Sequence, residues 1–231
     1  MTISPYAQAI RDYFNYEFKA KLLLDTSYGI QEEMPVETFF RNEDDFTALE
    51  TYALSLCRGK VLDVGAGVGA SSLVLQNRGF DLTALEVEAP LVEIMIERGI
   101  KKVVCKNIFE YDAQHFDTIL MMMNGIGLVG TIQGLKDFLE HAKKLLTPSG
   151  QILLDSSNIA YFYQDKVKPG AHYFGEIGYC YQYQNKKGKW FNWLYIDPER
   201  LQDIAWKHGW YAQILYEDET DQYLARLRLA E

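Results

Sequence analysis

The sequence predicts a doubly wound α/β fold built on a mostly parallel sheet, and three observations carry that prediction. A short apolar strand, residues 60–64, runs into the turn Gly65-Ala66-Gly67-Val68-Gly69 and directly on into a helix over 70–78. Strand-length apolar runs and helical runs then alternate as far as residue 155, which calls for parallel strands joined by right-handed crossovers. The chain closes on two further strand-like runs around the acidic turn 217–221, which makes an antiparallel pair. At 231 residues and 48% apolar composition, the chain suits one such domain with a substantial core.

Taken in order, Ser4-Pro5 presents an N-cap followed by proline at the first helical position. Tyr6, Ile10, Tyr13 and Phe14 follow at helical spacing, so the first helix is expected to extend to about Leu24. Helical periodicity lapses over 25–41, where Tyr28-Gly29 and Met34-Pro35 signal a loop. Asn42 with Asp45 resembles a capping box, and the helix expected behind it carries Phe46, Leu49, Ala53 and Leu56. Residues 1–57 should therefore be two helices and a loop laid against the sheet. In 58–157 the first strand and its helix end at Gly79, and a second strand, 80–85, leads to Glu86. Pro90 opens a helix ending at Gly99; strands follow at 102–105 and 117–122. Thr131 caps a long amphipathic helix, and Pro148-Ser149-Gly150 turns the chain into a fifth strand, 151–155. Over 158–197 the pattern changes: Tyr179, Tyr181 and Tyr183, then Phe191, Trp193 and Tyr195, predict an aromatic hairpin inserted before the end of the fold. Residues 198–231 supply a helix capped by Asp197-Pro198 and the last two strands.

The glycine turn is the feature that points to a ligand. Alternate glycines permit positive φ and close approach of a ligand to the backbone. The helix behind them presents unpaired N–H groups and partial positive charge. Glu86, ending the next strand about twenty residues on, is placed to accept both hydroxyls of a ribose. The spacing is Gly-x-Gly-x-Gly, with Asp63 two residues before the first glycine. In those residues the chain resembles class I S-adenosylmethionine (SAM) dependent methyltransferases. The resemblance covers about 58–155 and, less specifically, the last strands, which are similar to the antiparallel strands closing the seven-stranded sheet of that class. It implies a methyltransferase that uses SAM and releases S-adenosylhomocysteine (SAH), with the N-terminal segment as a lid.

The resemblance also implies roles. Gly65, Ala66, Gly67 and Gly69 would pass beneath the methionine tail and ribose, with Asp63 acting on the amino group through water or backbone. Glu86, with Val87 beside it, would hold the ribose. Asn107 stands where the family usually has Asp; it keeps an acceptor oxygen for the adenine amino group, while Ile108 would pack on the ring. Met123 and Asn124 would line the methionine and adenine side. Arg41 offers a fork to the methionine carboxylate, with a solvated surface role as the alternative. Tyr28, Phe39 and Phe40 could face the sulfonium or acceptor, or pack the lid. Asn158 and His172, in the segment after the fifth strand, are candidate acceptor contacts, His172 as a proton acceptor. Neither a metal site nor a nucleophile setting around Ser71, Ser72 or Ser156 is apparent. The aromatic hairpin could line the acceptor pocket, cover the sheet edge or form a homodimer interface.

A net charge of −9 disfavours a nucleic-acid substrate. The loop Asn124-Gly125-Ile126-Gly127 lacks the Asn-Pro-Pro-Tyr type signature of many amino-group methylating enzymes, and together these favour a small-molecule acceptor, without excluding a protein. Cys57, Cys105 and Cys180 fit no metal or redox spacing. Cys57 and Cys105 are expected to be buried thiols, and a reducing cytoplasm suits them. No apolar run is long enough to span a bilayer, and the N-terminus lacks signal-peptide features. A SAM-binding protein without catalysis and a nicotinamide-dependent oxidoreductase remain as other classes. The glycine spacing and the antiparallel end of the sheet count against the second.

Overall fold

The computed structural model describes residues 3–17, 19–112, 115–163 and 172–230. Its centre is a seven-stranded sheet, order β11-β12-β7-β6-β3-β4-β5. The strands are β3 (Lys60–Val64), β4 (Asp81–Glu86), β5 (Val103–Cys105), β6 (Phe116–Met121), β7 (Leu146–Ser157), β11 (Trp210–Glu217) and β12 (Gln222–Leu229). The first five run parallel; β12 pairs antiparallel to β7, and β11 to β12. This is the α/β architecture expected, with the antiparallel pair at its end.

Strand alternation divides the core in two. Ile119, Met121, Ile152 and Leu154 face α5 (Ile132–Leu145) and α6 (Pro198–Lys207), while Leu120 and Leu153 face α2 (Ala48–Ser55) and α3 (Ala70–Asn77). With both faces covered, the central strands are buried almost throughout, as parallel strands between helical layers must be. Strand order reverses at β3, which has β4 and β5 on one side and β6 and β7 on the other. The carboxyl ends of β3 and β6 therefore flank a topological switch point, where such sheets form a crevice.

Local cap chemistry set several helix starts. Ser4 Oγ accepts from the Ala7 N–H, Thr131 Oγ1 from Gly134 and Asp197 Oδ1 from Arg200. The N-terminal part differs from the sequence reading. α1 (Pro5–Phe14) stops well short of Leu24, and β1 (Leu22–Thr26) and β2 (Gln31–Met34) form a hairpin where helix and loop were expected. Asn42 and Asp45 do make a capping box, but it opens a single 3-10 turn, Glu43–Asp45. The helix begins behind a second box, Thr47 with Glu50, which leaves Phe46 outside it.

The N-terminal hairpin joins the aromatic insertion in a second, wholly antiparallel sheet, order β10-β8-β1-β2. Its other strands are β8 (Glu176–Tyr183), β9 (Lys186–Lys187), paired to β8, and β10 (Phe191–Leu194). α1 packs on α4 (Ala89–Glu97) and on Val68 of the glycine turn. Tyr183 donates to the buried Asp12 of α1 (2.9 Å), which ties the two sheets' neighbourhoods together. Cys57 and Cys180 are buried, but Cys105 is exposed, because it ends a three-residue strand at the edge of the sheet. Among the described residues, no helix is long and apolar enough to cross a membrane.

Candidate functional site

β3 delivers the chain into the glycine turn at the switch point. The N–H groups of Gly65 and Ala66 both donate to the Leu85 carbonyl (2.9 and 3.1 Å), which moors the turn to β4. Two glycines are required for different reasons. At Gly69, φ is +84°, which selects glycine, and a Cβ would sit 2.1 Å from Ile100 Cδ1, so that side chain, just past α4, would have to give way. At Gly67, φ is +58° and a Cβ would meet nothing within 4 Å, so the space above it is open to a ligand.

Glu86 ends β4 beside that space and is only 8% exposed. Its Oε2 accepts from Gly67 (3.0 Å), and its Oε1 accepts from Val87 (2.7 Å) and Glu88 (3.0 Å). Burial pushes its pKa up, opposed by these N–H groups. A carboxylate has about four acceptor positions. Oε2 can therefore take another hydroxyl as it stands, and a grip by both oxygens requires Oε1 to share or release a backbone donor. A cleft of about 130 Å³ opens here between Gly65, Glu86, Val87, Asn107, Ile108 and Leu128. Asn107 Oδ1 accepts from the Phe109 N–H (3.0 Å), leaving its amide hydrogens available, and buried Ile108 supplies an apolar surface.

Asp63 lies beneath the turn, 4% exposed, where Oδ2 accepts from Ser72 Oγ (2.6 Å). Burial lifts its pKa to about 6 against the effect of Ser72, with the Glu86 charge adding to the rise. Across the switch point, the loop after β6 holds Met123 (φ +66°) and Asn124 (φ +53°) in succession in the left-handed region. Such residues cost of order 1–3 kcal/mol each and persist only where the surroundings impose them. Asp155 imposes them here: its carboxylate accepts from the N–H of Asn124 (2.8 Å) and Gly125 (3.0 Å) and from Gln222 Nε2 (2.8 Å). Asn124 Oδ1 in turn accepts from Ser157 (2.8 Å). Burial lifts Asp155 to about 6 as well.

The remaining candidates lie elsewhere. Arg41 forks onto Glu50 (2.9 and 2.6 Å), its Nε donates to the Thr38 carbonyl, and its guanidinium lies over Phe46. Phe39 packs edge-on against Tyr6, 5.5 Å between centroids. The Tyr28 hydroxyl donates to Glu32 and its ring lies against Phe162 (4.6 Å). Asn158 Oδ1 accepts from Ala160. The His172 side chain is 77% exposed, 4.0 Å from Glu176, whose other oxygen accepts from Ile132 at the start of α5. Among the described residues, no group of His, Cys, Asp and Glu could hold a metal.

Three contributors were not foreseen: Leu128, Asp155 and Tyr6. A carboxylate directly after the apolar run 152–154 was a usable signal for Asp155. Nothing local marks Tyr6, whose ring partners are Phe39 and, far along the chain, Tyr181 of β8.

The open space over Gly67, the buried carboxylate and the adjoining cleft fit a nucleoside. A family model described as a methyltransferase domain matches residues 36–213. The fold is that of a SAM-dependent methyltransferase from Bacteroides fragilis in complex with SAH. That protein is 38% identical, with a TM-score of 0.90 over 99% of this chain and 95% of the other. More distant structures share the fold alone. The CcbJ methyltransferase of Streptomyces caelestis is 15% identical (TM-score 0.63; 81% of this chain, 94% of that one). The sugar N-methyltransferase KedS8 of a Streptoalloteichus species is 14% identical (TM-score 0.59; 88% and 96%). No curated protein sequence matches. The chain belongs to the methyltransferase-domain family, as a class I enzyme that takes SAM as cofactor and leaves SAH as product.

Proposed function

We propose that the chain methylates a small molecule held between the cofactor cleft and the aromatic face of the second sheet. The observation that carries this reading is Tyr6. Its ring stacks on Tyr181 of β8 (4.8 Å between centroids). Burial, then Tyr181, then the Glu86 and Glu88 charges push its pKa up, so the cofactor-side carboxylates act on it electrostatically. Tyr6 is thus continuous with a run of rings, Tyr181, Phe191 and Tyr179, the kind of aromatic surface against which small ligands bind. The net charge of −9 adds to the case against nucleic acid.

SAM brings an electrophilic methyl group on sulfonium, and the protein's task is to align an acceptor with it in a water-poor site. In this reading Gly65, Ala66 and Gly67 run under the methionine and ribose, Glu86 takes a ribose hydroxyl, and Asn107 and Ile108 meet the adenine. Met123 and Asn124 face the methionine side, with Asp63 supporting the turn from below. Arg41 is engaged by Glu50, so we assign it to holding α2 rather than to the methionine carboxylate. The three unpaired cysteines suit a reducing cytoplasm.

The test is SAH release from SAM when the enzyme is offered the small-molecule and the protein fractions of a cell lysate. Turnover with the first supports the proposal. Turnover confined to the second transfers the function to protein methylation.

A further inference from the structure

We propose that the acceptor carries a basic amine, received by the Glu32 carboxylate and the tyrosines around it. The inference rests on the reading that the aromatic face of the second sheet lines the acceptor site.

Register places Glu32 on that face. It stands opposite Leu24, and Leu24 stands opposite Tyr181. Thr26, Tyr179 and Phe191 follow on the same side, then Ile177 and Trp193. The neighbouring acids, Asp25 and Glu33, point to the opposite face, and each has a lysine: Lys187 on Asp25 (2.6 Å) and Lys21 on Glu33 (2.5 Å). Glu32 has no basic partner among the described residues and holds only the Tyr28 hydroxyl. The Tyr179 and Tyr195 hydroxyls meet nearby (3.2 Å), and the Glu32 charge adds to the rise that burial produces in both.

Glu32 is exposed on the edge strand, so its carboxylate is open to a cation arriving from solvent, and the ring faces on the same side of the sheet are electron-rich. A cation is drawn by both, since the carboxylate and the ring faces each attract it. On the outer face Asp25 and Glu33, the two acids nearest Glu32, each meet a lysine, while Glu176 farther along meets His172 and the Ile132 N–H. On the inner face, among the described residues, no lysine meets Glu32, and an ammonium brought in by the acceptor would take that place.

The chemistry balances without another reactant. The bound ammonium gives a proton to Glu32, which is exposed and passes it to water. The freed nitrogen lone pair forms the bond to the methyl carbon as the carbon–sulfur bond breaks. That bond's electron pair stays on sulfur, giving neutral SAH and a methylated ammonium.

The test uses the full chain saturated with SAH and three probes of one shape: phenethylamine, 2-phenylethanol and phenylacetate, followed by calorimetry. The amine should bind best, and Glu32→Gln should weaken it about tenfold or more, as loss of one charged hydrogen bond implies, with SAH affinity unchanged. Tyr28→Phe, which keeps the carboxylate, should retain the preference for the amine. Equal binding of amine and alcohol, or amine binding indifferent to Glu32→Gln, overturns the proposal. An acceptor screen separates the two claims. Turnover of alcohols or carboxylates but not amines rejects the amine and leaves the small-molecule reading standing. Turnover of proteins alone rejects that reading itself.

Discussion

Replacing Asp63 by Asn should change the pH dependence of stability by an amount the structure allows to be worked out. The carboxyl is buried beneath the glycine turn, and its pKa rises from an ordinary 3.8 to about 6. The folded state therefore binds this proton more tightly than the unfolded chain does. The resulting stability is present in full below about pH 3.8 and is lost as pH rises through about 6. At about 1.36 kcal/mol per pH unit the gap amounts to about 3 kcal/mol, of which about 2.5 kcal/mol falls between about pH 4 and pH 7.5. Asn keeps an oxygen for the Ser72 hydroxyl but has no proton to lose. Urea unfolding of both proteins at the two pH values, followed by tryptophan fluorescence, gives the difference directly. Glu86 and Asp155 are present in both, so their titrations largely cancel. The wild type should lose about 2.5 kcal/mol relative to Asp63→Asn on going to the higher pH. A difference constant to within about 0.5 kcal/mol would mean Asp63 titrates normally, and the description of a desolvated carboxylate under the turn would be wrong.

Glu86→Gln should weaken SAH binding about ten- to a hundredfold by calorimetry, the value of one charged hydrogen bond, with an unchanged circular dichroism spectrum. Gly67→Ala should cost the fold only ~1 kcal/mol for its left-handed backbone yet abolish most cofactor affinity, because the new methyl enters open space above the turn. Gly69→Ala adds the clash with Ile100 and should destabilise by about 2–3 kcal/mol in chemical unfolding, the reverse balance. Tyr183→Phe removes a donor from buried Asp12 and should lower the melting temperature by about 2–4 °C, for a loss of about 1 kcal/mol.

What was legible from sequence is what the backbone writes locally. Ser4, Thr131 and Asp197 announce helix starts because their partners are three residues away. The turn at Gly67 and Gly69 is legible because positive φ selects glycine. Glu86 is legible because its place is fixed by the length of one βα unit. The strand Leu22–Thr26 was not: its partners are β2 and β8, and Ser27 meets Gly178 at a separation of 151 residues. Leu22, Leu23 and Leu24 also continue a helical pattern well enough to hide a strand. Arg41 shows another limit. An arginine fork suits a ligand carboxylate and Glu50 equally well, and only the distance to Glu50 decides between them.

The division between legible and hidden follows the division between the two sheets. As proposed, the parallel sheet would hold the cofactor largely through its backbone: the turn is moored to Leu85, and the Glu86 carboxylate is itself held by three N–H groups, that of Gly67 among them. Such a site constrains sequence through glycine and strand length, so it shows in a single chain. The second sheet presents side chains alone, and its face is assembled from both ends of the chain, Glu32 and Tyr28 from one and Tyr179, Tyr181 and Phe191 from the other. If that face receives the acceptor, as proposed, substitution on it redirects the acceptor without disturbing a single hydrogen bond of the glycine turn. A Glu32→Lys exchange should accordingly invert the charge preference from amine to carboxylate probes while leaving SAH affinity within about twofold, since separated sites act independently. Loss of SAH binding in that variant would show that the two sheets do not work as separable cofactor and acceptor walls.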